Sequence, residues 1–248
     1  MFEASICDPM LCLILQGCKQ LEFGDEDFTL RAGECAVVSH DLPIWSRVRD
    51  APYLVVLFSL ELEVLRDLYA ELGELRTPAA TPHAVTAHAA DANLLDVVSR
   101  ALALTGSERD ARVLGAAVTR ELHYRLAVSP LGLMLRSLSR SDSQESAVAR
   151  AVAMLRRDFR SPMVIESLAR AVGMSTSSFH KHFKAVMASS PLQYQKSLRL
   201  LEARRRLTSG AASVTSVAFE VGYESPSQFS REYLRRFGRP PSRDALRG

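Results

Sequence analysis

One pattern occurs twice in the C-terminal part of this 248-residue chain. The first copy, ARAVGMSTSSFHKHFKAVMASSP, runs from Ala169 to Pro191, and the second, AFEVGYESPSQFSREYLRRFGRPP, from Ala218 to Pro241. Phe179 matches Phe229, Phe183 matches Tyr233 and Pro191 matches Pro241, each 50 residues on. Ala169 and Gly173 match Ala218 and Gly222 at a distance of 49, so the second copy carries one more residue in its turn. Each copy predicts a helix, a tight turn and a second helix. Gly173 and Gly222 suit the left-handed position that ends a first helix. Ser175 and Ser225 suit the N-cap of a second helix, and Pro226 its first position. The small Ala169 and Ala218 let the paired helices approach closely. Phe179/Phe183 and Phe229/Tyr233 are i, i+4 pairs that face a core. Between the copies, Ser190–Pro191 starts a further helix, LQYQKSLRLLEARRRL, ending near Gly210.

A helix-turn-helix lays its second helix in the major groove of DNA. The outward positions here suit that use. The first copy leaves Ser177, Ser178, His180, Lys181 and Lys184 outside, and the second leaves Ser227, Gln228, Ser230, Arg231 and Arg235. Ser, Gln, Lys and Arg read base edges, and Lys and Arg also neutralise phosphates. Two such units tied by one helix would enter successive major grooves roughly one ~10 bp turn apart. The competing reading is a basic helical bundle with solvated charges; two copies in register, both in the basic half, argue against it.

Charge divides the chain. Residues 1–140 hold 13 Lys/Arg against 19 Asp/Glu, a net of −6, whereas residues 141–248 hold 18 against 9, a net of +9. An acidic half joined to a basic half predicts two domains with different partners, the basic one a polyanion. The Ser-rich segment SLSRSDSQES, 137–146, reads as the linker. Residues 1–136 are then an N-terminal sensing or dimerisation domain, with a β-barrel over 1–60 and helices over 61–136. Residues 147–248 are an all-α double helix-turn-helix domain. The fold class is α+β.

The strand readings rest on short apolar or alternating runs: LCLILQG and KQLEF with Gly17 as a hairpin signal between them, then FTL, ECAVVS, IWSRV and YLVVLFSL, broken at Gly33, Asp41–Pro43 and Pro52. Helical periodicity follows in LEVLRDLYAEL, ANLLDVVSRALAL and DARVLGAAVTRELHYRLAV, with Thr77–Pro82 as a break. Leu114, Val118, Leu122 and Leu126 form one stripe, equally suited to a dimer seam and to packing on the barrel. No apolar run is long enough to span a membrane. The opening MFEASICDPMLCLILQG lacks a basic n-region and a cleavage site, so a cytoplasmic protein is expected, nucleoid-associated when bound to DNA.

Little in the N-terminal half suggests catalysis. His40, His83, His88 and His123 are scattered with no His-x-His, so neither a metal nor another cofactor is expected, and His40 reads as a turn histidine satisfied by backbone. No nucleophile elbow, P-loop or dinucleotide fingerprint occurs, and no catalytic residue is assigned. All four cysteines lie within the first 35 residues and are expected as thiols. Cys18, beside Lys19, is the candidate reactive thiol because a neighbouring cation favours the thiolate; an inert thiol is the competing reading. Trp45, with Tyr53 and Phe58, is a candidate effector-pocket lining, the alternative being ordinary core.

Through LARAVGMSTSSFHKHFKAV, SPLQYQKSLRLLEARRRL and VAFEVGYESPSQFSREYLRRFGRPP, the C-terminal hundred residues resemble the AraC/XylS family of transcriptional regulators. The resemblance implies base or groove contacts from Ser177, His180 and Lys181, and from Ser227, Gln228, Ser230 and Arg231. The segment LCLILQGCKQLEFGDEDFTLRAGECAVVSHDLPIWSRV resembles an AraC-type N-terminal domain, which implies a cupin-like β-barrel followed by helices, used to bind small effectors and to dimerise. It also implies a few tens of residues ahead of the segment that begins here. Some members of that subgroup are thought to answer electrophiles. The expected function is sequence-specific transcription regulation, with double-stranded DNA as partner, a small-molecule effector, RNA polymerase if the protein is an activator, and a homodimer or monomer as its state. The alternatives are a metal-dependent cupin enzyme with an appended DNA-binding domain and a non-specific architectural DNA binder.

Overall fold

The computed structural model describes residues 2–73, 83–210 and 213–245. Among the described residues the N-terminal half contains six strands, β1 (Phe2–Cys7), β2 (Met10–Phe23), β3 (Glu26–Arg31), β4 (Glu34–Val38), β5 (Leu42–Ser59) and β6 (Val85–Ala89). They form one antiparallel sheet in the order β1-β5-β2-β4-β6, with β3 attached to β2. Among the described residues the hydrogen-bonded path runs open from β1 to β6.

Two expected breaks are not breaks. Gly17 does not turn a hairpin: β2 runs straight through it, and the register against β5 slips on both sides, between Ile14 and Gln16 and between Gln16 and Cys18. Gly17 takes φ +81°, and a Cβ there would lie 2.6 Å from the Asp50 carbonyl oxygen and 2.7 Å from that of Pro52. It is a bulge where two backbones meet too closely for any side chain. Pro52 lies in the same irregularity, between Asp50, paired with Cys18, and Leu54, paired with Gln16. A residue without an N–H is tolerated where the ladder is interrupted. β1 and β6 lie outside the expected strands. β6 is only five residues long and is held by its register on β4, Cys35 opposite His88.

The middle of the sheet, in β4 and the first half of β2, is buried on both faces, and alternation sorts its residues. Leu11, Leu13, Cys35 and Val37 point into one cluster with residues of α1 (Leu62–Leu72), α2 (Ala92–Leu104), α3 (Glu108–Val128) and α4 (Gly132–Ser139). Cys12, Ile14, Ala36 and Val38 point into the other, which continues into α5 (Gln144–Arg157), α6 (Ile165–Ala171), α7 (Thr176–Met187) and α8 (Pro191–Thr208). The sheet is therefore a middle layer, and its second face shares a core with the C-terminal half. Each fully buried Leu, Ile or Phe in these layers contributes about 1.5–3 kcal/mol relative to exposure. Of the α3 stripe, Val118, Leu122 and Leu126 pack inward against the sheet, while Leu114 is exposed beside Val113.

The Ser-rich segment 137–146 is largely helical: 137–139 end α4, 144–146 begin α5, and only Arg140–Ser143 lie between. Its serines tie the joint together. Ser143 caps α5 by accepting from the Ser146 amide at 3.0 Å. Ser146 donates towards the Ser141 and Ser143 carbonyls. Next to this joint, His40 reaches across from the sheet. Its Nε2 lies 3.3 Å from the Glu145 carbonyl oxygen, and the Ser39 hydroxyl lies 2.9 Å from Nδ1. Arg156 of α5 pairs with Asp41 at 2.8 Å and with Asp8, and Tyr194 of α8 donates to the Asp41 carbonyl at 2.7 Å. The remaining elements are α9 (Val214–Glu220), α10 (Pro226–Phe237) and α11 (Pro241–Ala245), which close a separate apolar cluster on the far half of α8.

Candidate nucleic-acid interface

The two repeats fold alike, bond for bond. In α6–α7, the Met174 amide donates to the Ala169 carbonyl at 2.9 Å, Gly173 takes φ +79°, and Ser175 caps α7 by accepting from the Ser178 amide. In α9–α10, the Tyr223 amide donates to the Ala218 carbonyl at 3.0 Å, Gly222 takes φ +94°, and Ser225 caps α10 by accepting from the Gln228 amide. The additional residue of the second copy is Glu224, between Tyr223 and the cap. Pro226 occupies the first position of α10, where its missing N–H has no partner to lose. Phe179 and Phe183 are fully buried with ring centres 5.5 Å apart, and Phe229 and Tyr233 repeat that spacing.

With the aromatic pairs turned inward, the predicted contact residues face outward. Ser177, His180, Lys181 and Lys184 are exposed on α7, and Ser178 is half-buried. Ser227, Gln228, Arg231 and Arg235 are exposed on α10, and Ser230 is half-buried. Gln228 also donates to Glu232, 3.3 Å away. Glu232 is buried, accepts from Lys196 of α8 and from the Tyr223 hydroxyl at 2.8 Å each, and its carboxyl is held below the usual range by those bonds against the opposing effect of burial. The most basic run of the sequence, Arg204–Arg206, lies on α8, outside α7 and α10. Arg205 and Arg206 pair with Glu202 at 2.8 and 2.7 Å, and Arg204 lies over the Phe237 ring. The two arginines, Arg205 first, hold the Glu202 carboxyl at about 2. The Glu202 pairs are i, i+3 and i, i+4 on one helix, while Glu220, which also meets Arg206, arrives from α9.

The N-terminal domain reaches both repeats. The Asp25 amide donates to the Ala188 carbonyl at the end of α7, 2.8 Å away. Beside it lies an open cleft of about 620 Å³ lined by Asp25, Glu26 and His83 on one side and His180, Lys181 and Lys184 on the other. On α10, the Arg236 guanidinium stacks on the Trp45 ring, 3.4 Å from its centre.

The three candidate effector residues do not meet in one pocket. Trp45 is buried beneath Arg236 at the domain contact. Tyr53 is half-buried against the cluster shared with the C-terminal half, and Phe58 packs into the opposite one, edge-on to His123. Cys18 is buried in the β2 bulge region. Burial pushes the Cys12 and Cys35 thiols up to about 11. His123, also buried, accepts from the Glu61 amide at 2.8 Å, and its Nδ1 lies 2.8 Å from the Thr119 carbonyl oxygen. Trp45 is the chain's single tryptophan, so its emission reports the contact with α10. Arg236→Ala is expected to shift that emission to the red with an unchanged far-ultraviolet circular dichroism spectrum, because water reaches the uncovered indole. An unmoved emission maximum would contradict the stacked arrangement.

These features define a class: a protein with two helix-turn-helix units on one connecting helix, mounted on a sheet-and-helix domain. Residues 2–134 match the family model described as the AraC-type transcriptional regulator N-terminus, and residues 168–245 match a helix-turn-helix domain. The chain belongs to the AraC-type transcriptional regulators. It is 32% identical over 123 residues to the HTH-type transcriptional regulator ExsA of Pseudomonas aeruginosa, covering 50% of this chain and 44% of that protein. It is 30% identical over 155 residues to the regulator CdhR of the same species, covering 61% and 43%. The chain spans about half the length of the curated relatives it matches. Its fold is similar to that of ToxT from Vibrio cholerae, with a TM-score of 0.60 at 11% identity over 99% of this chain and 93% of that one. Among the described residues, no helix is long and apolar enough to cross a membrane.

Proposed function

We propose that this chain is a sequence-specific DNA-binding transcription regulator whose two units read successive major grooves. The observation that carries the reading is the duplicated geometry: the same turn bonds, the same inward aromatic pair and the same outward polar and basic face, twice, on one helix. Ser177, Ser178, His180, Lys181 and Lys184 would contact the first half of the site, and Ser227, Gln228, Ser230, Arg231 and Arg235 the second. We divide the chain into a regulatory domain over 1–136 and a DNA-binding domain over 147–248, with 137–146 as the joint between them. A ToxT structure with bound unsaturated fatty acid supports a small organic effector for the N-terminal domain. The reading assigns the protein to the cytoplasm, with no catalysis of its own, and RNA polymerase as a partner if it activates.

Selection of bound sites from random DNA at physiological salt tests this. An enriched site with two elements about one helical turn apart is expected. Weak binding without enrichment, lost on adding salt, would favour an architectural DNA binder. Contact types then separate by substitution. Arg231→Ala should cost about 1–3 kcal/mol on the selected site and relax preference in one element. Lys184→Ala should weaken binding to selected and random DNA alike and reduce the salt slope by about one. Equal losses on both DNAs for Arg231→Ala would remove it from the base-reading set.

A further inference from the structure

Arg199 sits at the joint between the two units. Each unit keeps its own apolar cluster, with Phe159 packed against both and Lys196 of α8 paired with Glu232 of α10 at 2.8 Å. Phe179, Phe183 and Tyr194 belong to the cluster of the first, and Val217, Phe229 and Tyr233 to that of the second. Where they meet, the turn of the second unit lies directly on the loop between α5 and α6: a Cβ on Gly222 would stand 2.2 Å from the Arg160 carbonyl oxygen. Arg199, midway along α8, spans this contact. Its Nε donates to the Phe159 carbonyl at 2.8 Å, and Nη2 donates to those of Arg160 and Ser161 at 3.0 and 3.1 Å. Nη1 donates to the Gly222 carbonyl at 2.8 Å. The guanidinium also lies over the Tyr223 ring. Gln195, one turn earlier, adds bonds to the Phe159 and Ser161 carbonyls at 3.0 and 2.8 Å.

We infer that Arg199 is a positioning residue: it locks the second recognition helix at one distance and angle from the first, and so decides which spacing of two DNA elements the chain accepts. This rests on the proposed reading of two DNA-contacting units. The reason is geometric. A guanidinium is a rigid planar fork with fixed donor directions. Bonded at once to three successive carbonyls of one segment and one of another, it admits a single arrangement of the two. An ammonium donates from one point and cannot span both segments. Among the described residues Arg199 hydrogen-bonds to carbonyls and not to a carboxylate, so its role is to hold backbone against backbone. The energetic consequence appears only when both units bind one duplex, because a rigid joint makes the second contact intramolecular at high effective concentration for one spacing alone.

The test uses the full chain and duplexes carrying either one selected element or both, with the spacing changed in single base pairs through half a helical turn. Wild type is expected to bind one spacing at least about tenfold more tightly than a half-turn offset. Arg199→Lys should bind each single element within about twofold of wild type, lose affinity for the preferred pair and show a flattened spacing profile. Arg199→Gln, which retains a donor for one carbonyl, should flatten the profile as well. A profile as sharp as wild type in both variants would overturn the assignment. So would a parallel loss on single and paired elements, the mark of a merely structural role. If wild type itself prefers no sequence, the proposed function fails, and the positioning role with it.

Discussion

Gly222→Ala is expected to destabilise the protein by about 3–4 kcal/mol, several times the cost of an ordinary surface substitution. Two penalties add. At φ +94° an L-residue costs about 1–2 kcal/mol relative to glycine. The new methyl would then overlap the Arg160 carbonyl, whose carbon and Cα also lie within 3.0 Å of it, and backbone has no rotamer with which to yield. Separating the two segments would also stretch the bonds of Arg199. The duplicate turn supplies the control. Gly173 has φ +79° but nothing within 4 Å of where an added methyl would stand, so Gly173→Ala should carry the conformational cost alone, about 1–2 kcal/mol. Denaturant unfolding of the two variants checks this; equal losses would mean that the packing at Gly222 is looser than the structure has it.

The second large effect is a dependence on pH. His40 is fully buried between the sheet and α5, and burial drives its pKa from about 6.5 down to about 4, only partly opposed by its bond to the Glu145 carbonyl. In the unfolded chain the imidazole titrates near 6.5. Between these two values the unfolded state holds the extra proton, so acid favours unfolding. His40 therefore contributes its full stability above about pH 6.5, loses it as the pH falls towards 4, and changes little below that. The span corresponds to about 3 kcal/mol at 1.36 kcal/mol per pH unit. His40→Gln keeps an amide donor near the Glu145 carbonyl without titrating. The stability difference between wild type and this variant should change by about 2.4 kcal/mol between pH 7 and pH 4.5, the rest being lost below that; a difference constant with pH would refute the assignment. Because His40 sits at the joint between the halves, the Trp45–Arg236 contact should loosen over the same range.

Local chemistry was the legible part. Gly173, Gly222, Ser175, Ser225 and Pro226 each occupy the positions that their conformational preferences indicate, and the aromatic pairs point inward because residues four apart share a helix face. A residue whose role depends on a distant segment was not legible in this way. Gly17 and Pro52 carry turn and break signals, yet each sits inside a long strand because the two bulge opposite one another. Trp45 was open between pocket lining and core; it is buried beneath an arginine nearly two hundred positions away. Glu220 and Phe237, which meet Arg206 and Arg204, come from helices after α8, so those contacts could not be read along the chain.

The sequence by itself determined that the chain contains two helix-turn-helix units, which faces they bury, and that its charge divides into an acidic and a basic half. Propensity, capping and helical period act within a few residues, so one strand of text carries them. Only the tertiary structure decided that the middle of the sheet is buried on both faces, that its second face shares a core with the first unit, and that Arg199 ties the second unit to the first through backbone carbonyls. Backbone carbonyls are the same for every residue, so a contact made to them leaves no mark at the positions that provide it.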